Sequence, residues 1–402
     1  MSRQRIVVRE YETTVVAAPA RAARDLVAAA GNRIAVAFGP EAGTIAVTAG
    51  HHVGTIVTPD IELLIRPKVS LENLFTMLSA GMPAEAWRRE VFAYGTDRNL
   101  LPALAAFFAR TLQRALATGL RRDYRPEHER LVALRGRLDM AGQFRHPGLV
   151  SPLACSFDEY TADIDENRYL RAAVRHLLRV PGIRAETRKV LQFELARFEE
   201  VADVQVDPLL ADRIHFTRLN QHYEPAVRLA SLVLRNLTLV DRVGAADAAS
   251  FLLDMNDLFQ RWVTDRLRVA LRTHLVVKPE PTVHLGIGRR VPMAPDLTFV
   301  NDTGTTVYVA DVKYKLTSSG MGRSDDYYQL LAYTTAMNLP EGLLIYSQAD
   351  GDTPEREVVV RHAGKRLWTY AVPLAGSPAD VERAVVDLAA WILQRRHAVT
   401  AA

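Results

Sequence analysis

Two aspartates and a lysine near residue 300 are the side chains best suited to chemistry in this chain of 402 residues. Asp296 follows Pro295 at the start of one β-branched run, and Asp311-Val312-Lys313 closes the next run. Carboxylate oxygens are the ligands that Mg²⁺ and Mn²⁺ prefer. An amine beside such an ion can position or deprotonate a water molecule for attack on a phosphodiester. These residue types therefore predict a metal-dependent phosphodiester hydrolase.

A β-hairpin is the element that must bring these groups together. The two runs flank Asn301-Asp302-Thr303-Gly304, a sequence typical of a turn. Alternate residues of a strand face the same side, so Asp311 and Lys313 share one face while Val312 points into the core. The hairpin returns Asp296 toward that face. The predicted metal ligands are Asp296, Asp311 and the main-chain carbonyl of Val312, with Mg²⁺ or Mn²⁺ as the ion.

A polar helix follows the hairpin and completes a recognisable order of motifs. Gln329 and Tyr333 are four residues apart, which places them on one helix face. They are expected to position Lys313 or to contact the nucleic-acid backbone, although Tyr333 suits a core position equally well. Pro-Asp, then Asp-x-Lys, then a Gln-x-x-x-Tyr helix resembles the PD-(D/E)xK nuclease motif, whereas any one of these parts alone arises by chance. Lys315 lies on the same strand face as Lys313 and is a predicted DNA-phosphate contact.

Composition favours a soluble protein of the cytoplasm. Charged residues make up 24% of the chain and apolar residues 49%, and the net charge of +4 is compatible with nucleic acid without proving it. The single Cys155 excludes an internal disulfide, and no Cys/His cluster has the spacing of zinc ligands. The N-terminus lacks the apolar core of a signal peptide, and the most apolar helix candidate contains Arg110 and Arg114. We therefore expect no membrane partner.

The chain divides into three predicted regions of an α/β multidomain protein. Residues 1–70 carry five short strand-like runs and one helix, which predicts a small β-rich domain, either a barrel or a sandwich. Residues 71–240 are mostly helical. Residues 241–402 combine a long helix, the hairpin, further strands and a terminal helix, which predicts a restriction-endonuclease-like α/β domain of the PD-(D/E)xK type. The acidic stretch 158–169 lacks the glycine and the closing glutamate of an EF-hand, so we expect it to start the following helix.

Distinctive short segments occur along nearly the whole chain, and they include Glu62-Leu-Leu-Ile-Arg-Pro-Lys68, Arg135-Gly-Arg-Leu138, Glu166-Asn-Arg-Tyr-Leu170, Asp254-Met-Asn-Asp-Leu-Phe259 and Asp311-Val-Lys-Tyr-Lys315. In sequence and in order these segments resemble the McrC family, the nuclease subunits of McrBC 5-methylcytosine-specific restriction systems. The resemblance implies a Mg²⁺-dependent endodeoxyribonuclease that cuts methylated double-stranded DNA. It also implies an McrB-like AAA+ GTPase ring as partner, on which residues 1–70 dock and whose GTP hydrolysis they stimulate.

Two further sequence features bear on this division of labour. The chain has no G-x-x-x-x-G-K-[ST] phosphate loop, since its Gly364-Lys365 pair is followed by Arg366. We therefore do not expect the chain itself to hydrolyse nucleotides as a motor. Position 260, commonly glutamate in the family, is Gln260, which can hydrogen-bond but supplies no charge. Gln260 is therefore a supporting residue, and Asp257 one turn earlier either compensates for the missing charge or is an ordinary exposed carboxylate. Because of Gln260, a second hypothesis for the function of the chain is an activator of the motor ring that cuts DNA weakly or not at all. A third hypothesis is a stand-alone repair nuclease.

Overall fold

The computed structural model describes residues 3–78, 100–146, 148–180, 182–240, 248–314, 324–348 and 355–400. The chain folds into two compact units. One unit combines Met1–Arg98 with Leu252–Ala402, and the other is Asn99–Phe251. The N-terminal strands thus share a unit with the C-terminal hairpin, and the separate roles assigned to residues 1–70, 71–240 and 241–402 stay predictions.

Short β-branched runs at the N-terminus form two groups of strands. Their bounds are β1 Gln4–Arg9, β2 Thr13–Ala17, β3 Ile34–Phe38, β4 Thr44–Ala49, β5 His52–Val57 and β6 Ile61–Arg66. In the first group β4 lies between β2 and β3, and both pairings are antiparallel. In the second group β6 pairs parallel with β1 and antiparallel with β5. Strand β2 has no counterpart among the five predicted runs, whereas β1 and β3 to β6 each correspond to one of them.

Helix α1 (Ala20–Ala30) covers part of these strands through its apolar face. Ala22, Leu26 and Ala29, which recur at three and four residues, are buried, and the helix contacts β3 and β5. Helix α2 (Leu71–Leu78) contacts the C-terminal segment of the same unit. One of these contacts is a hydrogen bond of 2.9 Å, which Asn73 Nδ2 donates to the carbonyl oxygen of Leu374.

Helices dominate the second unit, as the sequence predicts. Their bounds are α3 Leu100–Ala115, α4 Met140–Phe144, α5 Asp165–Leu178, α6 Ala185–Arg197 and α7 Glu224–Asn236. A small antiparallel sheet contains β7 (Asp123–Leu131), β8 (Arg137–Leu138) and β9 (Leu153–Thr161), and β10 (Leu237–Val240) pairs antiparallel with β11 (Ala248–Asp254). The acidic stretch does start a helix, since Asp165 and Glu166 occupy the first turn of α5, while Asp163 pairs with Arg125 and Arg168.

A six-stranded sheet organises the C-terminal segment of the first unit. Its order is β12 (Val276–Pro279), β15 (Leu297–Val300), β16 (Thr306–Lys313), β17 (Glu341–Gln348), β19 (Arg366–Pro373) and β18 (Glu355–Val359). Strands β16, β17 and β19 are parallel and the other pairings are antiparallel. Strand β17 is buried almost throughout and carries the continuous apolar run Leu343–Tyr346, as expected for a central strand with both faces covered. A small hairpin of β13 (Val283–Gly286) and β14 (Arg290–Met293) lies between β12 and β15 in the chain.

Three helices pack on this sheet. Helix α8 (Met255–Leu271) contacts β12 and β16, α9 (Ser324–Ala336) contacts β16 and β17, and α10 (Pro378–Thr400) contacts β19 and α8. Helix α9 follows β16 in the chain and precedes its parallel neighbour β17, so these three elements form a βαβ unit. None of the helices in the described ranges combines the length and the apolar character that crossing a bilayer requires.

Candidate active site

The predicted hairpin is confirmed, and its register brings the two aspartates together. Strands β15 and β16 pair antiparallel with Leu297 opposite Ala310, so Asp296 and Asp311 come next on the two strands. The turn is closed by Asn301, whose backbone N–H donates to the carbonyl oxygen of Thr305 at 3.0 Å. Gly304 adopts a φ of 81°, a left-handed conformation that glycine reaches without strain.

Asp296, Asp311 and Lys313 lie within contact distance along this strand end. The backbone N–H of Val312 donates to Asp296 Oδ2 at 2.7 Å, and Lys313 Nζ lies 2.7 Å from Asp311 Oδ2. Asp311 is fully buried, whereas Asp296 and Lys313 are half-buried. Val312 is buried like Asp311, so the contact of Lys313 with Asp311, and not a difference in burial, supports the predicted shared face.

Burial and the charges of neighbouring groups together set the pKa values of these three side chains. Burial raises the pKa of Asp296 to about 7, with a further contribution from the charge of Asp311 and opposition from the Val312 N–H and Lys313. Burial also raises the pKa of Asp311, although Lys313 opposes it. Burial alone would lower the pKa of Lys313, but the charges of Asp311 and Asp296 outweigh it and the net pKa is raised. Near neutral pH Asp296 is therefore partly protonated, and a bound cation would displace that proton.

The donor set fits a hard divalent cation. Asp311 Oδ1 is buried and accepts no hydrogen bond from any residue in the described ranges. An enclosed carboxylate oxygen without a donor is costly, because nothing replaces the water it has lost. A cation held between Asp296 and Asp311 compensates this cost, and the oxygens present are those that Mg²⁺ and Mn²⁺ take.

Gln329 and Tyr333 on α9 form a polar contact that fixes the start of the Asp296 segment. Gln329 Nε2 donates to the Tyr333 hydroxyl at 2.6 Å, and that hydroxyl donates to the carbonyl oxygen of Ala294 at 3.2 Å. The ring of Tyr333 is only 3% exposed and packs in the core with Val309, Leu330 and other apolar residues. Tyr333 therefore serves both as a core residue and as a hydrogen-bonding residue at the site.

Gln260 reaches the site through a residue that sequence reasoning missed. Its Nε2 donates to Glu280 Oε1 at 3.2 Å, and the backbone N–H of Glu280 donates to the carbonyl oxygen of Asp296 at 3.1 Å. Glu280 follows β12, the strand that pairs with β15. The only local signal in the sequence is that a proline stands on each side of it, and this does not indicate a functional residue. Asp257 is exposed and pairs with Arg261 at 2.8 Å, as an ordinary helix-surface carboxylate does.

Asp326 is a second residue near the site that the sequence identifies only as part of a helix start. Its side chain is 5% exposed and accepts a hydrogen bond from the Tyr346 hydroxyl at 2.7 Å. Tyr346 stands opposite Lys313 in the parallel register of β16 and β17. The charge of Asp326 contributes to raising the pKa of both Asp311 and Lys313. Lys315 lies outside the described residues, and its contact with DNA stays a prediction.

Solved structures with a similar fold are known, whereas no curated protein matches the chain. One is a chain of the refined half-complex from a tetradecameric assembly of Thermococcus gammatolerans McrB AAA+ hexamers with bound McrC. It matches with a TM-score of 0.59 and 20% identity, over 96% of this chain and 100% of that chain. Another is a chain of the McrBC complex from the same organism, with a TM-score of 0.44 and 23% identity, over 67% of this chain and 88% of that chain.

Family membership follows from the sequence match itself. Residues 47–347 match the family described as McrBC 5-methylcytosine restriction system component. This range spans most of the chain and includes the hairpin with Asp296, Asp311 and Lys313. The chain therefore belongs to the McrBC 5-methylcytosine restriction system component family.

Proposed function

We propose that this chain is the DNA-cleaving subunit of an McrBC-type, modification-dependent restriction system. It is a Mg²⁺-dependent endodeoxyribonuclease of the PD-(D/E)xK type that acts on methylated double-stranded DNA. The observation that carries this proposal is the contact of Asp296, Asp311 and Lys313 at one strand end in a member of this family. The mixed six-stranded sheet that presents them supports it.

The hairpin supplies the ligands of the cation. Asp296 and Asp311 would hold it through their carboxylates. The N–H and C=O of one strand residue point to the same side, and the N–H of Val312 points at Asp296, so the carbonyl oxygen of Val312 would be available as a third protein ligand. When bound, Mg²⁺ supplies positive charge that offsets the charge building on the phosphoryl oxygens.

Lys313 acts as a cation rather than as a base. Because the neighbouring carboxylates raise its pKa, the amine holds its proton at neutral pH. A protonated Lys313 orients the attacking water and stabilises negative charge on the phosphate. Tyr333 and Gln329 are positioning residues, because the Tyr333 hydroxyl holds the carbonyl of Ala294 just before Asp296.

A motor ring is the partner that best accounts for the whole chain. The similar fold comes from a complex of McrB AAA+ hexamers with bound McrC. This chain has no phosphate loop of its own. We therefore assign it an McrB-like AAA+ GTPase partner, on which residues 1–70 dock and whose GTP hydrolysis they stimulate.

Cleavage of methylated duplex DNA by the chain with its ring, Mg²⁺ and GTP tests the proposal. Asp311→Asn should abolish cleavage and leave GTP hydrolysis by the ring stimulated. Asp302→Asn, an exposed aspartate in the turn of the same hairpin, is the matched control and should cut normally. Cleavage by Asp311→Asn at the wild-type rate would show that the site is not the nuclease centre.

A second candidate function is an activator of the ring that cuts weakly or not at all. Gln260 favours it, because the helix position that commonly carries glutamate in the family has no charge here. The same assay separates the two functions. A wild-type chain that stimulates GTP hydrolysis but leaves methylated DNA intact at every Mg²⁺ and Mn²⁺ concentration would establish the activator.

A further inference from the structure

Two neighbouring histidines and an aspartate distant in sequence form a compact cluster outside the catalytic hairpin. His51 precedes β5, His52 begins it, and Asp254 precedes α8. One potential ligand atom from each side chain lies within 4.8 Å of the other two, and all three residues are partly buried. The imidazole ring centroids are 4.4 Å apart.

The backbone holds this cluster in place. Asp254 is the N-cap of α8, and its Oδ1 accepts a hydrogen bond from the N–H of Asn256 at 2.8 Å. This leaves Oδ2 directed at His51, with Oδ2 and Nε2 3.4 Å apart. The N–H of Met255 donates to the carbonyl oxygen of His51 at 3.0 Å, which ties the two segments together directly.

The spacing is that of metal ligands. Bond lengths of about 2.0–2.2 Å to nitrogen and oxygen put neighbouring ligand atoms of a tetrahedral ion roughly 3.3–3.5 Å apart. The His51–Asp254 pair already has this separation, 3.4 Å. The ligand atom of His52 lies within 4.8 Å of the other two.

A simple ion pair between His51 and Asp254 accounts for less of the geometry. Both side chains are more than a third exposed, and such surface pairs contribute little to stability. An ion pair between His51 and Asp254 also does not involve His52, although the two imidazole ring centroids are only 4.4 Å apart. A shared metal ion gives all three side chains a role.

We propose that His51, His52 and Asp254 bind one transition-metal ion, in the first place Zn²⁺, with water completing the coordination. Two imidazoles and a carboxylate are a donor set that Zn²⁺ takes readily. The ion fastens the start of β5 to the start of α8, the helix that carries Gln260.

Metal binding by the full-length chain tests this site directly. The parent is Asp311→Asn, in which the hairpin is a poor competitor for the ion. Co²⁺ is titrated and followed by its d–d absorption, and the rise in melting temperature with Zn²⁺ is recorded in parallel. We expect one equivalent of Co²⁺ to bind and Zn²⁺ to displace it.

Three variants on that parent identify the ligands. His52→Ala and Asp254→Asn should each weaken Co²⁺ binding by at least about 10–100-fold, the range found for groups that merely orient metal ligands. Asparagine caps a helix about as well as aspartate, so Asp254→Asn removes the ligand and keeps the start of α8. His128→Ala, an exposed histidine on β7, should bind as the parent does.

The proposal is overturned by either of two results. One is a folded parent that binds neither Co²⁺ nor Zn²⁺ and gains no thermal stability from them. The other is equal affinity in the parent, His52→Ala and Asp254→Asn, which would place the ion elsewhere. If His52→Ala does not fold, His52→Gln and Asp254→Asn decide between the same outcomes.

Discussion

Single buried charges set the chemistry of the candidate nuclease site. Asp296 and Asp311 are held close together in a region that excludes most water, and burial raises the pKa of each. Such a pair is destabilising until a proton or a cation neutralises it. The same feature that favours cation binding therefore makes the metal-free hairpin less stable than it could be.

Replacing one of these carboxylates should stabilise the fold while ending catalysis. In Asp296→Asn the amide oxygen still accepts the hydrogen bond from the Val312 N–H, and the buried charge is gone. We expect cleavage to be lost and the free energy of unfolding without metal to rise by roughly 1–4 kcal/mol at about pH 8, given about 1.4 kcal/mol per pKa unit. Chemical denaturation in the presence of a chelator measures the change. A metal-free variant less stable than wild type would contradict the argument.

The raised pKa of Asp296 also fixes the direction of the pH dependence. Its pKa is about 7 in the folded chain against an ordinary 3.8. Folding thus favours the protonated form, so this contribution to stability is present below about pH 4 and is lost as the pH rises through about 7. The cation needs the ionised form, and Mg²⁺ affinity should increase about tenfold between roughly pH 6 and pH 8. Calorimetric titration of Mg²⁺ at the two pH values checks this, and an affinity independent of pH would exclude Asp296 as a ligand.

The contact between Gln260 and Glu280 predicts how the glutamine behaves. Gln260→Glu replaces the 3.2 Å hydrogen bond to Glu280 with two neighbouring carboxylates that repel each other. We expect it to cost about 0.5–1 kcal/mol of stability. Exchanging the partners in Gln260→Glu/Glu280→Gln should restore most of it. Thermal melts and Mg²⁺ titrations of both single variants and the double variant measure the coupling. Strictly additive effects would mean that the two side chains do not interact.

At the scale of elements, helix α9 contacts and positions the hairpin of the candidate active site. The Tyr333 hydroxyl holds the carbonyl of Ala294, and this hydroxyl itself receives a hydrogen bond from Gln329. Since Asp296 is two residues after Ala294, this hydrogen bond from α9 helps to set the position of the Asp296 carboxylate relative to Asp311.

Removing this single hydroxyl should therefore slow cleavage more than it unfolds the chain. Tyr333→Phe keeps the ring in the core and leaves the Ala294 carbonyl without its donor. We expect cleavage to slow about tenfold or more, because small misplacements at a reacting centre are costly, with a loss of stability of about 1 kcal/mol. Tyr328→Phe, on the same helix but 68% exposed, is the control. Equal cleavage by Tyr333→Phe and Tyr328→Phe would remove Tyr333 from the positioning residues.

At the scale of the whole molecule, the N-terminal strands depend on the C-terminal segment. Glu10 is fully buried, and the hydroxyl of Tyr314, the residue after Lys313, donates to it at 2.9 Å. Helix α2 contacts α8 and α10, and its Asn73 donates to the carbonyl oxygens of Leu374 and Gly376. The first unit is therefore built from both ends of the chain.

A chain truncated at Val240 should consequently fail to fold its N-terminal part. The truncation removes Tyr314 and leaves the buried Glu10 without that donor, and it exposes the apolar face of α2, which includes Leu74 and Phe75. Circular dichroism melts and limited proteolysis, compared with the full chain, should show no cooperative transition for residues 1–78. A truncated chain with a cooperative melt and a protected N-terminus would contradict this. Stimulation of a motor ring is thus best tested with full-length Asp311→Asn rather than with a fragment.

Local periodicity in the sequence was sufficient to predict the hairpin and its three central side chains. Strand alternation places Asp311 and Lys313 on one face, and a turn sequence returns Asp296 to them. The four-residue spacing of a helix likewise predicts the contact between Gln329 and Tyr333. These relations depend on backbone geometry over a few residues, so the residue order determines them directly.

Contacts between distant segments were decided only by the tertiary structure. Glu280 reaches Gln260 because α8 packs against β12, and Asp326 approaches Lys313 because α9 packs against β16 and β17. His51 meets Asp254 because β5 and the start of α8 lie side by side. No local spacing encodes these approaches, since they depend on the order of strands in a sheet and on which helices share a core. The sequence by itself therefore determined the hairpin of the candidate active site, and packing between remote segments decided which side chains surround it.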